Sequence, residues 1–297
     1  MFLSRLLAAG AMIAALAAPA ASAQTSDGAA IERGRYLFDV GGCIGCHTDA
    51  KNNGKPLAGG RALPTPFGTF YGPNITPDPT YGIGGWTEAE FLRAMHQGVA
   101  ADGSNLYPVF PYPSFTKMVD ADLKDLFRYV KAQPPVPQPN RPHDVGFPFN
   151  LRFLQTGWKL LNYVYGPFKP DPSKPKDWNR GAYLVEAVAH CEECHTPRNL
   201  MGGLRTDLAF SGNPNGPEGE RVPNITPEPG TGIGDWSLAD LADLLKSGMK
   251  PDGDVVGGSM GEVVKNSTSK LTDEDVKAIV VYLRALRPIR NMVRKKS

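Results

Sequence analysis

The most regular hydrophobic spacing in this 297-residue chain occurs in two stretches. Leu123, Leu126, Phe127 and Val130 recur at helical intervals after Asp120, and Val276, Ile279, Val280 and Leu283 do the same after Thr272. Each pattern predicts a helix with one apolar face, the second introduced by the cap-like Thr272-x-x-Asp275. Earlier in each half, Thr87-x-x-Glu90 and Ser237-x-x-Asp240 make capping-box starts directly behind a Trp, and Gly98 and Gly248 end the helices they open. Further helices are predicted from about Ala30 to Cys43 and from about Asn179 to Cys191. Long loops join these elements, as 33 Gly and 28 Pro require.

The two halves carry one pattern written twice. Arg33-Gly34-Arg35-Tyr36-Leu37 returns as Arg180-Gly181-Ala182-Tyr183-Leu184, and Pro73-Asn74-Ile75-Thr76-Pro77 returns as Pro223-Asn224-Ile225-Thr226-Pro227. Gly82-Ile83-Gly84-Gly85-Trp86 returns as Gly232-Ile233-Gly234-Asp235-Trp236, at an offset of 150. A tandem duplication of a roughly 100-residue module follows.

Ahead of the first module, Arg5 is followed by an apolar run from Leu6 to Leu16 and the small-residue site Ala21-Ser22-Ala23. This is the pattern of a secretory signal peptide cut after Ala23, and its apolar run is too short for a membrane span of ~20 residues. A periplasmic protein is expected, soluble or peripheral on the periplasmic face of the inner membrane. Lys plus Arg total 32 against 30 Asp plus Glu, a balance without the basic footprint of a nucleic-acid binder.

Four Cys in an exported chain would ordinarily suggest two disulfides, but their spacing argues otherwise. All four lie in Cys43-Ile44-Gly45-Cys46-His47 and Cys191-Glu192-Glu193-Cys194-His195, each followed by Thr. Two thiols three residues apart on a helical turn can form thioethers to the two vinyl groups of one porphyrin, and the adjacent His can turn beneath the ring to ligate iron. A single Cys-x-x-Cys also serves dithiol redox and zinc sites. Two copies with His attached predict two covalently bound haem c groups, with His47 and His195 as iron ligands.

Gly34 with Phe38 and Tyr129, and Gly181 with Val185 and Tyr282, resemble the class I cytochrome c fold, in which the first and last helices cross near a Gly. Gly72-Pro73-Asn74 is similar to the loop of that family whose carbonyl accepts from the ligating His, and Val222-Pro223-Asn224 keeps its Pro and Asn. The resemblance implies an all-α chain of two tandem class I cytochrome c-like domains with long Gly/Pro-rich loops. It pairs Pro73 with His47 and Pro223 with His195. The expected divisions are a signal peptide at 1–23, domain 1 at 31–133, a connector at 134–178, domain 2 at 179–288 and a basic tail at 289–297.

An iron that only passes electrons needs a second axial ligand, and Met raises the potential where His lowers it. The candidates are Met95, Met118, Met201, Met249, Met260, Met292, His96, His143 and His190. Aligning the last helices sets Lys117-Met118-Val119-Asp120 on Lys270-Leu271-Thr272-Asp273, with Phe110 and Met260 at similar positions upstream. Met118 is assigned to the first haem and Met260 to the second. The competing role for Met118 is a hydrophobic staple ahead of its helix, as Leu271 would be. Met249 is the runner-up in the second half, Met95 reads as core, His96 and His190 as surface or packing residues, and His143 as part of the linker.

In the connector, Pro134-Pro135-Val136-Pro137-Gln138-Pro139 predicts a stiff extended stretch, and Phe149 to Leu161 a short amphipathic helix dense in aromatics. That helix is either a brace between modules or a docking surface for a partner or a membrane. Arg287 to Lys296 reads as a short solvated basic tail. With Tyr112-Pro113-Ser114-Phe115-Thr116-Lys117-Met118 added, the whole resembles the cytochrome subunits of membrane-associated alcohol and gluconate dehydrogenases, whose members commonly carry three haem motifs where this chain has two. The resemblance implies an electron-transfer protein relaying single electrons from a periplasmic dehydrogenase subunit to quinone, another cytochrome or a terminal oxidase. The competing class is a diheme enzyme of the peroxidase or thiosulfate-oxidising type, which needs one open axial position. A sensor has no signalling domain to support it.

Overall fold

The computed structural model describes residues 20–293, so the apolar run of the leader and the last four residues lie outside the described residues. In chain order the helices are α1 (Ala20–Val40), α2 (Cys43–His47), α3 (Glu88–Gln97), α4 (Tyr112–Phe115), α5 (Asp120–Lys131), α6 (Leu154–Asn162), α7 (Lys176–Tyr183), α8 (Glu192–His195), α9 (Leu238–Ser247), α10 (Gly258–Asn266) and α11 (Asp273–Arg284). Helix α1 begins well before the expected start near Ala30. Among the described residues no helix is long and apolar enough to cross a membrane.

The expectation of an all-α chain needs correction. Strands β1 (Ala62–Thr65), β2 (Gly68–Tyr71) and β3 (Asp144–Val145) form an antiparallel sheet in that order, with Ala62 opposite Tyr71 and Gly68 opposite Val145. Pro64 hid the hairpin from a sequence reading, since Pro is tolerated only at a sheet edge, where β1 lies. The third strand comes from the connector, and no local pattern announces it.

Two helix crossings organise the molecule. A Cβ on Gly34 would lie 2.0 Å from the Asp125 carbonyl oxygen of α5, and one on Gly181 would lie 2.0 Å from the Ala278 carbonyl oxygen of α11. Only glycine lets these backbones approach so closely. At the first crossing the Phe38 and Tyr129 rings sit 5.1 Å apart. At the second, Val185 stands where the aromatic would be, and Tyr282 is packed instead by Trp178 at 5.1 Å and Phe210 at 6.5 Å. Beyond α7 the chain widens into a π-helical turn, Leu184–Val188, and His190 takes φ 41°. The π turn has no counterpart in α1, whereas the left-handed backbone of His190 is matched by Gly42, at φ 61° directly ahead of Cys43.

The capping boxes form as expected. Thr87 and Ser237 each accept from the backbone N–H three residues on and receive the reciprocal carboxylate bond, while Gly98 and Gly248 close their helices at φ 61° and 79°.

Each half is then strapped by the segment that follows its last helix. Asn74 Nδ2 donates to the carbonyls of Val136 and Gln138 at 2.8 and 3.0 Å, and its N–H donates to Asn140 Oδ1 at 2.6 Å. Asn224 Nδ2 likewise donates to the Ile289 carbonyl at 2.8 Å, and the Ile289 N–H donates to Thr226 Oγ1 at 3.2 Å. Asn291 Nδ2 reaches the Ser211 carbonyl and Arg287 the Asp207 carbonyl, both at 2.8 Å. The solvated tail expected from Arg287 onward is therefore corrected as far as Asn291. The polar groups of the Asn-Ile-Thr loop need partners, and this segment supplies them.

Helix α6 spans the halves. Trp158 Nε1 donates to the Met201 carbonyl at 2.8 Å, and Lys159 Nζ donates to the carbonyls of Gln97 and Gly98 and to Asn105 Oδ1. One face is thus a brace; Phe153, Leu160 and Leu161 stay exposed on the other. A second tie is reciprocal. Tyr36 donates to Asp275 Oδ2 at 2.6 Å and accepts from the Thr272 N–H at 3.3 Å, while Tyr183 donates to Asp122 Oδ2 at 2.6 Å and accepts from the Val119 N–H at 3.3 Å. One apolar cluster, including Leu37, Val40, Met118, Val185, Val188 and Leu271, runs across both halves.

Candidate functional site

Each Cys-x-x-Cys-His segment follows the first helix of its crossing pair, so the crossing fixes where the thiols sit. His47 Nδ1 lies 2.8 Å from the Pro73 carbonyl oxygen, and His195 Nδ1 lies 2.9 Å from that of Pro223. Because a carbonyl can only accept, each Nδ1 carries the proton and each Nε2 offers a lone pair. Burial lowers the pKa of both imidazoles against the opposing pull of their carbonyls, which favours the neutral, ligating form. The expected pairings of Pro73 with His47 and Pro223 with His195 are therefore present, and the missing glycine at Val222 does not disturb the second.

The loops that place these carbonyls are the same in both halves. Thr48 Oγ1 accepts from the Leu57 N–H at 3.0 Å and Thr196 Oγ1 from the Phe210 N–H at 2.9 Å. The His47 and His195 carbonyls accept from the N–H groups of Gly59 and Gly212 at 2.8 and 2.7 Å. Leu57 and Phe210, at φ 61° and 62°, both hold a left-handed backbone that non-glycine residues seldom adopt. Sequence reasoning missed these positions; only the Thr after each motif and the repeat itself pointed toward them. A Cβ on Gly72 would fall 1.9 Å from the Cys46 carbonyl oxygen, which explains the glycine in the first loop.

None of the four cysteines is in a disulfide. Burial pushes the Cys43 and Cys191 thiols up to about 12 and that of Cys194 to about 11, so they remain protonated at neutral pH. Such thiols are poor nucleophiles in a dithiol redox cycle. Among the described residues no three His, Cys, Asp or Glu side chains gather as a metal-ion cluster, so neither Cys-x-x-Cys finds the extra ligands of a zinc site. Paired free thiols beside a neutral imidazole with an unengaged Nε2 fit covalent haem attachment with axial ligation.

The cytochrome c family profile matches residues 31–134. A diheme cytochrome c-type of Cereibacter sphaeroides is 44% identical over 261 residues, covering 85% of this chain and 84% of that protein. The chain belongs to the cytochrome c family. It is an electron-transfer protein of a family that carries covalently bound haem c. The cytochrome is also similar to the fructose dehydrogenase cytochrome subunit of Gluconobacter japonicus, 41% identical over 86% of this chain and 52% of that subunit. To the cytochrome c subunit of alcohol dehydrogenase (quinone) from Gluconacetobacter polyoxogenes it is 39% identical, over 92% of this chain and 60% of that subunit. The chain thus spans little more than half the length of these two relatives.

Of the sixth-ligand candidates in this cytochrome, Met118 is 1% exposed, at the end of the turn after α4, and Met260 is half-buried in the first turn of α10. Met95 packs in the core, and Met201 and Met249 are exposed. His96 is a packing residue buried within the fold rather than a surface one. Its Nδ1 lies 3.2 Å from the Thr116 carbonyl and its Nε2 lies 2.9 Å from Asp120 Oδ1, so both nitrogens are engaged. His190 Nε2 donates to the Gly41 carbonyl at 3.2 Å, and His143 Nδ1 accepts from the Tyr71 N–H at 3.2 Å.

Proposed function

We propose that the cytochrome carries two haem c groups, one on each tandem class I-type module, and relays single electrons from a dehydrogenase partner to quinone, another cytochrome or a terminal oxidase. The observation that carries this reading is the doubled site: the same motif, the same Pro carbonyl on Nδ1 and the same loop geometry occur twice in one chain. The names of the relatives support the partner class, since both the fructose and the alcohol proteins are dehydrogenase cytochrome subunits. The leader pattern supports export, with the relay working in the periplasm or on the periplasmic face of the inner membrane.

Bound haem iron supplies reversible one-electron chemistry, and the protein supplies attachment, orientation and electrostatics. Cys43 with Cys46, and Cys191 with Cys194, would hold each group, and His47 and His195 would ligate through Nε2, made more basic by the Pro73 and Pro223 carbonyls on Nδ1. Met118 and Met260 would complete the two sites, and fully ligated iron would suit a carrier of electrons. The near-equality of positive and negative charge suits a subunit-type contact better than long-range steering.

Near-infrared absorption and paramagnetic NMR of the oxidised protein count Met–iron bonds directly. Two are expected. Met118→Ala and Met260→Ala should each convert one haem to high spin with both groups still covalently attached. One open or His-ligated haem in the unaltered protein would favour the diheme enzyme.

A further inference from the structure

The segments that carry Met118 and Met260 are each fastened to the motif of the opposite half. Lys117, next to Met118, extends its ammonium to Glu186 at 2.9 Å and Glu192 at 3.4 Å, which flank the approach to Cys191 and lie within its motif. Nearby, Ser114 Oγ donates to Glu193 Oε1 at 3.1 Å, and the Phe115 ring meets His190 edge-on at 5.4 Å. In the other direction Glu262, two residues after Met260, accepts from Arg61 Nη1 at 2.6 Å, and the same nitrogen donates to the Gly45 carbonyl inside the first motif at 2.9 Å. Ser267, beyond α10, donates to the Val40 carbonyl at 2.6 Å, just ahead of Cys43.

These ion pairs differ from the many on the surface. Lys117, Glu186, Glu192 and Arg61 are all mostly covered, and Arg61 also holds a backbone carbonyl, so the pairs restrain geometry where exposed ones add little. The Tyr183 bond ends on the Val119 N–H, next to Met118, and the Tyr36 bond on the Thr272 N–H at the start of α11, twelve residues past Met260.

We propose that Glu186 and Arg61 are positioning residues acting across the halves, so that Glu186 seats Met118 for the first haem and Arg61, through Glu262, seats Met260 for the second. The inference rests on the ligand assignment of the proposed function. Each haem's sixth ligand is held in register by the attachment motif of the other, and neither site is complete without its neighbour.

Glu186→Gln and Arg61→Gln test this, with Arg35→Gln, which breaks only exposed pairs to Glu32 and Asp39, as the control. The readouts are the Met–iron near-infrared band and the midpoint of each haem, with signals assigned from Met118→Ala and Met260→Ala and with both haems counted as attached. Glu186→Gln should remove at least half of the first haem's band while sparing the second. Arg61→Gln should do the reverse, and Arg61→Lys should restore part of it. Perturbation only of the haem in the variant's own half, or of neither, overturns the inference while leaving the two Met ligands standing. Fewer than two Met–iron bands in the unaltered protein overturns the ligand assignment and the inference with it.

Discussion

At Gly34 and Gly181 two opposing effects can be weighed. Alanine in a helix interior is intrinsically better than glycine by about 1 kcal/mol. At these two positions the new methyl would lie 2.0 Å from a backbone oxygen, and overpacking costs about 1–3 kcal/mol or more where nothing can give way. Gly34→Ala and Gly181→Ala should therefore each destabilise by at least about 2 kcal/mol in denaturant unfolding. Gly157→Ala, on α6 with open space around it, should stabilise by about 0.5–1 kcal/mol. Asp275 gives a pH-dependent test. Burial would raise its pKa, but hydrogen bonds from Arg180 and Tyr36 outweigh that and hold it below the usual carboxylate value. A depressed carboxylate stabilises above the unfolded value of about 3.9 and loses that contribution as pH falls through the folded value. Asp275→Asn should cost about 2 kcal/mol at neutral pH, and the gap to the unaltered protein should close below about pH 4. Spacing and repetition marked the motif cysteines and both histidines, and the family's loop marked both prolines, whose carbonyls the fold sets on Nδ1. Leu57 and Phe210 were not legible, because a left-handed backbone at a bulky apolar residue is imposed by the surrounding loop and leaves no mark in composition.

The elements read best where local chemistry marks both ends. Helices α3 and α9 carry boxes at one end and glycines at the other, and α5 and α11 show sustained apolar spacing; all four stand where expected. The sheet was illegible because β1 contains a Pro and β3 is only two residues long, its register set by a strand it meets far along the chain. The π turn before the second motif was marked only by the repeat, in which Gly181 stands ten residues ahead of Cys191 where Gly34 stands nine ahead of Cys43, and the wider turn takes up the extra residue. Helix α6 was foreseen as brace or docking surface, and Trp158 decides for a brace on one face. Trp158→Ala should weaken that brace, costing about 3 kcal/mol and speeding limited proteolysis between residues 134 and 178 severalfold, with cleavage sites mapped by mass spectrometry.

Across the whole molecule the halves are joined by contacts no window of sequence contains: Tyr36 meets Asp275 across a separation of 239 residues. The repeat predicted two equivalent units but was silent on how they pack, because Tyr36 and Tyr183 each look like ordinary residues of a helix. Removing the Tyr183 hydroxyl leaves Asp122 Oδ2 and the Val119 N–H without their bond, whereas Asp275 Oδ2 keeps Arg180 Nη2 when Tyr36 loses its hydroxyl, so Tyr183→Phe should cost about 1–2 kcal/mol, Tyr36→Phe about 1 kcal/mol, and the double variant nearly the sum because the two sites share no partner. Calorimetry would show it as one transition splitting into two. The straps after α5 and α11 carry a practical corollary for anyone dissecting the chain. A fragment cut at residue 133, where the first module's helices are complete, would lack the carbonyls that hold Asn74 beside Pro73. A fragment of the first half therefore has to run through Val145, so that it keeps Asn140, the His143 bond to the Tyr71 N–H and strand β3, and a fusion partner on the second half belongs after Asn291.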